Sequence, residues 1–566
     1  MTMNKKVINI LFFFISFFLI FNNVPKIIQI NFLGGPVGNK LVFYPLFIGF
    51  IYTIYCQYKY ENVLANFDKF TKFISVYLAI TLISLIIGLY NYPYYDLVIN
   101  GPVTQIEKLP KVIAFLDSLD IDIEENILVT FWMSARVIKG LILEIIYTFG
   151  SAYMIYCWYQ DNWKTAFNIM LKAISAALVF IFSYSVIEIF YLAGNQNAKE
   201  ILEFITPYIH TVKPDGFWWP PLLWKNQLRS LFAEPSYYGI YFAFAMPVVW
   251  YSSLVAEKIQ HKVLLYVGII FFTFCLFITQ ARTAVALFLG EIVLFIIFLM
   301  FLRSIGILKK FAIIGLCSII AFGMSNIFIT NFMQPKPAKT MSVEISKDKS
   351  DKSVTKTDIK QDQKLSNPKG KQETNKIIID KNQINSYFEK NLFSLASLNQ
   401  RSNNARYSIM LTDLKIGLNN PILGVGTGLR NAYVPDYLPE MSKGNREVKM
   451  WLNNQKEKGI MRSGFPKLGE FTSRFAETGV LGLTIFLIPP LVLLRKLYFK
   501  ISDQAISTEN KLPYVFFTIS LIGIMASGIG DTINITYCYW VLLGLGYDMC
   551  FGKEATNNLT NYKNNE

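Results

Sequence analysis

Long apolar runs separated by short polar turns dominate the chain. They fall roughly at 7–24, 41–56, 73–90, 137–158, 166–192, 237–255, 263–279, 283–302, 311–330, 476–494, 513–529 and 532–550. Most are close to the ~20 residues that an α-helix needs to cross hydrocarbon. The pattern predicts an all-α polytopic integral membrane protein with about twelve transmembrane helices and a large extracytoplasmic loop between helices nine and ten. On this reading residues 1–330 form an N-terminal membrane bundle of about nine helices, 331–475 the loop, 476–550 the C-terminal membrane helices and 551–566 a cytoplasmic tail.

The polar residues between the runs orient this arrangement. Lys5, Lys6, Lys59, Lys69, Lys72, Lys164, Lys258, Lys262, Lys309, Lys310, Arg495, Lys496 and Lys500 all fall on one side if both termini are cytoplasmic. That satisfies the positive-inside rule at every inner turn. The first run is followed by FNNVPKII, which offers no small-residue cleavage site, so it reads as a retained span rather than a signal peptide.

Four segments fall on the other side: 91–136, 193–236, a very short connection at Gln280–Arg282, and 331–475. Within the last, residues 334–383 are rich in Lys, Ser, Thr, Asp and Gln and free of aromatics, which predicts a disordered insert. Order is expected to return at NARYSIMLTDLKIGLNNPILGVGTGL, an amphipathic helix with Tyr407, Ile409, Met410, Leu414 and Ile416 on its apolar face, then an Asn-Asn-Pro stop and a glycine-rich turn. Residues 402–474 are expected to fold as a cap over the membrane. A stretch at 121–140 reads as an interfacial helix running into a span, with Trp132 at headgroup level.

Composition narrows the class. A chain of 566 residues that is 53% hydrophobic exceeds what one soluble core accommodates. The net charge of +15 comes largely from inner-turn lysines and the insert, so it does not point to nucleic acid. The six cysteines lie in or at the ends of runs, with neither a disulfide framework nor zinc-ligand spacing, and no nucleotide or metal motif occurs. Neither a metal nor a cofactor is expected.

Arginine departs from the lysine pattern. Arg136, Arg229, Arg282, Arg401, Arg406, Arg430, Arg446, Arg462 and Arg474 all fall on the outer side. Guanidinium binds phosphate as a bidentate fork that an ammonium cannot match, so a phosphate-bearing ligand at the outer face accounts for the choice. LRSLFAEPSYYG sets Arg229 and Glu234 just before a span with Pro235 at the helix start; Glu234 suits either a base or a simple dipole-favouring acid. FITQARTAVALFLGEI holds Arg282 in a tight turn, where it serves either as an anion ligand or as an interfacial anchor. Arg406 precedes the cap helix, and GVGTG offers backbone N–H groups to an anion or is only a turn. FTSRFAETGVLGLTIFL adds Arg474 and Glu477 where the tenth span opens, with Glu470 just upstream. Glu144, Glu188 and Glu291 lie inside spans, the placement a proton path would use, although each also suits helix pairing. His210 reads as a solvated loop residue.

The order of these elements carries a resemblance. FAEPSYYG before a span, TQARTAVALFLG two spans later, a long outer loop with NPILGVGTGL, and AETGVLGLTIFL opening a late span together resemble the O-antigen polymerase and ligase superfamily of bacterial membrane glycosyltransferases. The resemblance covers roughly 225–495. It implies a metal-independent polymerase that joins undecaprenyl-diphosphate-linked oligosaccharide repeats, as both donor and acceptor, at the outer face of the bacterial inner membrane. A chain-length regulator and membrane lipid are the further partners it implies. It makes Arg282 the diphosphate-binding arginine, with Arg229, Arg406 and Arg474 as further cationic contacts, and leaves the base open among Glu234, Glu470 and Glu477. Ligase-like members often carry a histidine before the late Glu-x-Gly motif, whereas KLGEFTSRFAETG has none. A ligase of the same superfamily, and a flippase or transporter of lipid-linked glycan, are the alternative readings.

Overall fold

A computed structural model describes residues 3–29, 38–60, 63–102, 105–106, 109–119, 124–160, 162–211, 226–302, 304–333, 401–462 and 464–552. The expected disordered insert at 334–383 and the tail at 553–566 lie outside them. The described residues form helices and connections, with no strand among them.

Helix forms at every apolar run. Apart from two short helices at Tyr95–Ile99 and Leu109–Asp117, the α-helices are α1 Lys5–Phe17, α2 Phe43–Tyr60, α3 Phe67–Tyr90, α4 Glu125–Ile145 running through a π-turn at Ile146–Gly150 into α5 Ser151–Tyr159, α6 Trp163–Leu192, α7 Gln196–Ile209, α8 Pro235–Val255, α9 Ile259–Ile278, α10 Arg282–Leu302, α11 Ile305–Asn331, α12 Arg401–Asn419, α13 Arg430–Tyr437, α14 Arg446–Lys458, α15 Glu470–Ser502, α16 Thr508–Gly530 and α17 Cys538–Phe551. Eight of them, α3, α6, α8, α9, α10, α11, α15 and α16, are long and apolar enough to cross a membrane. The twelve expected crossings are thus matched by length and apolarity at eight; α1 and α17 are shorter, and α2 and the α4–α5 rod are more polar or interrupted.

The centre of the bundle is α8 and α16, most of whose residues are buried, while α10 and α11 turn about two thirds of theirs outward. Close approach at the centre depends on small residues. A Cβ on Gly239 would lie 2.3 Å from Ala284 Cβ, so α8 and α10 touch backbone to backbone near their N-terminal ends. This sets Glu234, the residue preceding α8, beside the start of α10 and its Arg282. The six cysteines are free and buried.

The structured part of the polar stretch, α12 to α14, packs on the N-terminal end of α15. The α12 helix forms as expected but rotated: Ala405, Ser408, Ile409, Thr412, Asp413 and Ile416 are buried, whereas Tyr407 and Leu414 are exposed. The reason is a polar one. Asp413 takes Arg430 of α13 in a bidentate pair, Nε to Oδ1 at 2.5 Å and Nη2 to Oδ2 at 3.0 Å, with both side chains at most 1% exposed. Arg430 also donates to the carbonyls of Phe465 and Pro466. Burial pushes the Asp413 carboxyl up and Arg430 pulls it back. Arg430→Ala therefore strands a buried carboxylate; it is expected to destabilise this region by about 3–5 kcal/mol, read as faster limited proteolysis between 401 and 469.

Candidate functional site

The glycine-rich turn has a use that its sequence does not disclose. Within α15, Gly479 adopts φ 62° and ψ −165° and breaks the helix. A break inside a span frees backbone groups that lipid cannot satisfy. Here the turn after α12 satisfies them: Val425 and Gly426 N–H donate to the carbonyls of Ala476 and Glu477 at 2.9 and 3.0 Å. In return Val480 and Leu481 N–H donate to Pro421 and Ile422 at 2.8 and 3.3 Å. Ser84 of α3 closes the joint, its hydroxyl on the Leu423 and Glu477 carbonyls at 2.7 and 2.9 Å. The Val425 and Gly426 N–H groups, offered from sequence to an anion, are committed to α15.

That joint fixes the first two turns of α15, which begins at Glu470 rather than near 476. Arg474 is held on three sides: Nε on Glu470 Oε1 at 2.5 Å, Nη2 on Glu144 Oε1 at 2.7 Å, and Nη1 on Tyr77 OH at 2.9 Å. Its guanidinium lies 3.9 Å from the Phe486 ring centroid. The side chain is 14% exposed. Glu477, 10% exposed, pairs with Lys467 at 2.9 Å. Two carboxylates considered as bases are therefore each neutralised by a cation.

The third is placed differently. Glu234 is half-buried, and its hydrogen bond among the described residues is from Ser236 Oγ at 3.5 Å. Burial raises its carboxyl above the ordinary value, Arg406 opposes the rise, and Asp531 adds to it. Arg406 donates to the Gly530 carbonyl at 3.0 Å and lies 3.5 Å from Asp531 Oδ2, with a third of its side chain still exposed. Asp531, just past α16, is itself raised by burial and pulled back by Arg406. Its turn is anchored from two directions: its carbonyl accepts from Glu470 N–H at 3.1 Å, and the half-buried Lys40 ammonium donates to the Asn534 and Ile535 carbonyls. Burial brings Lys40 down to about 8. One end of the bundle thus presents Glu234, Arg406 and Asp531, backed by the Glu470–Arg474–Glu144 cluster. Among the described residues no three of His, Cys, Asp and Glu converge as a metal-ligand set.

The remaining candidates separate. Arg282 begins α10, half-buried and engaged by neighbours. Arg229 is wholly buried, its Nη2 3.5 Å from Tyr184 OH, with no hydrogen bond to Nε or Nη1 from among the described residues. The backbone N–H groups of Arg229 and Ser230 donate to the two oxygens of Glu188 at 3.0 and 2.6 Å, the latter from a residue at φ 55°. His210 is not solvated as expected: it is 1% exposed, and burial beside Arg229 lowers it to about 3, which keeps it neutral. Of the intramembrane carboxylates, Glu144 answers Arg474 and Glu188 clamps the Arg229 turn, while Glu291 is 1% exposed with neither oxygen hydrogen-bonded among the described residues. Sequence reasoning missed Asp531, Lys40 and Tyr77. An acid directly after a span, in GIGDTIN, was the available signal for the first; nothing local marks the other two.

A multi-pass helical membrane protein with a guanidinium and carboxylate site at one end of its bundle is what fold and site define. Residues 267–447 match the family model described as O-Antigen ligase, which is consistent with the O-antigen polymerase and ligase superfamily. The match takes in Arg282 and Arg406; Arg229 and Glu234 precede it, and Glu470, Arg474, Glu477 and Asp531 follow it. Members of the family are glycosyltransferase-like enzymes that act on lipid-linked glycans. Neither a curated protein nor a solved structure matches the chain.

Proposed function

We propose that the protein is a membrane glycosyltransferase that polymerises undecaprenyl-diphosphate-linked oligosaccharide repeats at the outer face of the bacterial cytoplasmic membrane, with both termini inside. The observation that carries this reading is the convergence of Arg406, Asp531 and Glu234 at the bundle end opposite the lysine-bearing turns, with Arg406 inside the family match.

The chemistry follows from the groups. The donor's anomeric carbon loses diphosphate, and the acceptor sugar's hydroxyl oxygen attacks that carbon while losing a proton. Arg406, still partly exposed, and Arg282 at the adjacent helix start are suited to the diphosphate, since fixed guanidinium groups stabilise the charge that develops on a leaving group in a water-poor site. The N-terminal ends of α8 and α10 point the same way and add their dipoles. Glu234 is the base best placed among the three carboxylates, because Glu470 and Glu477 already share their charge with Arg474 and Lys467. Its raised proton affinity brings it nearer the operating pH, as general-base catalysis favours.

A base works deprotonated, so transfer is expected to rise with pH through the Glu234 titration, with an acid limb above the ordinary range of a glutamate carboxyl. Arg406 lowers that titration; Arg406→Gln is expected to move the limb to higher pH, and Arg406→Lys to leave it in place while weakening donor binding. An acid limb that ignores Arg406→Gln would remove Glu234 from the role. Glu234→Gln is expected to cost about 10²–10⁴-fold in rate. Arg282→Lys is expected to abolish polymer while protein level holds, since charge without the fork does not suffice.

The assignment itself is tested by the undecaprenyl-linked glycans of cells lacking the protein, with the leaflet assigned by an impermeant label. Single repeats on the outer leaflet are expected. Full-length lipid-linked chains would mark a ligase, and repeats held on the inner leaflet a transporter.

A further inference from the structure

At the bundle end opposite the candidate site, a groove of about 340 Å³ opens between α3, α5, α15 and α17. Phe70, Phe73, Phe149, Ile488, Val492 and Leu543 form its walls. The tyrosines that line it have their hydroxyls turned to protein: Tyr153 donates to the Ala65 carbonyl at 2.8 Å, Tyr547 to Pro489 at 3.2 Å, and Tyr156 accepts from Asn66 Nδ2 at 2.9 Å. What the groove offers inside is therefore hydrocarbon and ring faces. From Phe551 at one end to Leu543 deep inside, α17 rises about 12 Å, close to the depth of one leaflet of a ~30 Å hydrocarbon core.

The mouth differs from the walls. Lys69 lines it, Lys72 is exposed one turn further along α3, and Lys496 lies 5.7 Å from the ring centroid of Phe551, itself a lining residue. Two acids are near: Asp68 is exposed beside Lys69, and Asp548 is wholly buried behind the wall. Cations outnumber the exposed acid at the opening.

We infer that this groove holds an anionic phospholipid of the leaflet at the lysine-bearing end, one acyl chain along the α3–α5–α15–α17 wall and the phosphate on Lys69 with Lys496. The shape and charge stand on the structure; naming that leaflet cytoplasmic rests on the orientation proposed above. A zwitterionic lipid would bring its own cation beside the lysines along with its phosphate, whereas an anionic one brings the phosphate without that repulsion. The diphosphate head of a lipid-linked glycan engaged at Arg282 and Arg406, on α10 and α12, would sit at the opposite end of the bundle. The bound lipid would tie α3, which carries Tyr77 one turn beyond the lining Phe73, to α15, which carries Arg474.

The test is native mass spectrometry of the full-length protein in neutral detergent, titrated with phosphatidylglycerol, phosphatidylcholine of the same chains, or undecaprenyl phosphate. One phosphatidylglycerol is expected to be retained in preference to phosphatidylcholine. Lys69→Glu is expected to weaken that retention by more than about fivefold, the effect of losing one lysine at an anionic surface, because the new carboxylate adds repulsion, with Lys69→Arg unchanged. Val492→Trp, which fills the groove, is expected to abolish it. Equal retention of the two phospholipids, or retention indifferent to Lys69→Glu, would overturn the inference, as would displacement by equimolar undecaprenyl phosphate. Lys69 is exposed, so its variants report even where Val492→Trp fails to fold. This readout is independent of the cellular glycan profile, so either reading can fail alone.

Discussion

Arg474→Ala is expected to leave little folded protein in the membrane. The guanidinium answers Glu470 at 2.5 Å and Glu144 at 2.7 Å, and its removal strands two carboxylates, of which Glu470 is 6% exposed. Breaking a buried ionic cluster by deleting one partner costs about 3–5 kcal/mol, a large share of the net stability of a folded domain. Tyr77 would lose its donor and Phe486 its stacked cation as well. Arg474→Lys keeps the charge but reaches fewer of these partners, and an intermediate loss is expected. The triple change Arg474→Met, Glu470→Gln, Glu144→Gln removes the stranded charges and is expected to recover most of the fold. Monodisperse yield and thermal unfolding in detergent check all three. The resemblance instead implies a diphosphate ligand at Arg474; if that were its use, Arg474→Ala would keep yield and melting point and lose polymer alone.

The second large effect is expected at Gly479. A Cβ there would lie 2.3 Å from the carbonyl carbon and oxygen of Ile422, which are backbone atoms that no rotamer change can move aside. The conformation, φ 62° with ψ −165°, is one that L side chains scarcely adopt and costs about 1–3 kcal/mol in itself. Gly479→Ala thus pushes the 421–426 turn out of the break, and four reciprocal backbone hydrogen bonds go with it. Gly424→Ala, at φ 67° with its Cβ 2.4 Å from the carbonyl carbon of Glu477, strikes the same joint from the other side. Both variants are expected to lose protection of the Val425, Gly426, Val480 and Leu481 amides in hydrogen exchange, and polymer with it, because the joint sets the position of Glu470 relative to Asp531. Ser84→Ala, which removes only two hydroxyl contacts, is expected to be mild. Native exchange protection in Gly479→Ala would show that the joint tolerates a side chain.

Much of this was legible before any coordinates. The apolar runs mark the helices because each must present an apolar surface over a fixed length, and Pro235 and the Asn-Asn-Pro stop mark helix ends because proline lacks an N–H. The α12 face was misjudged because its buried stripe includes Ser408, Thr412 and Asp413, which hydropathy assigns to solvent and Arg430 makes buriable. Glycines at 424, 426 and 428 are visible as a turn, and their positive φ confirms one, but the partner of that turn lies some fifty residues on in α15.

By itself the sequence determined that the protein is built of long apolar helices, the grouping of its lysines in alternate turns, and a short set of candidate arginines and carboxylates to which Asp531 did not belong. These depend on composition and local period, which read directly along the chain. Only the tertiary structure decided which of them remain available: Arg474 and Glu477 are consumed by ion pairs, Arg229 and His210 are buried, and Glu234 comes beside Arg406 and Asp531 from three distant segments. A charged group's chemistry is set by its nearest partners and its burial, and neither is a local property of the chain.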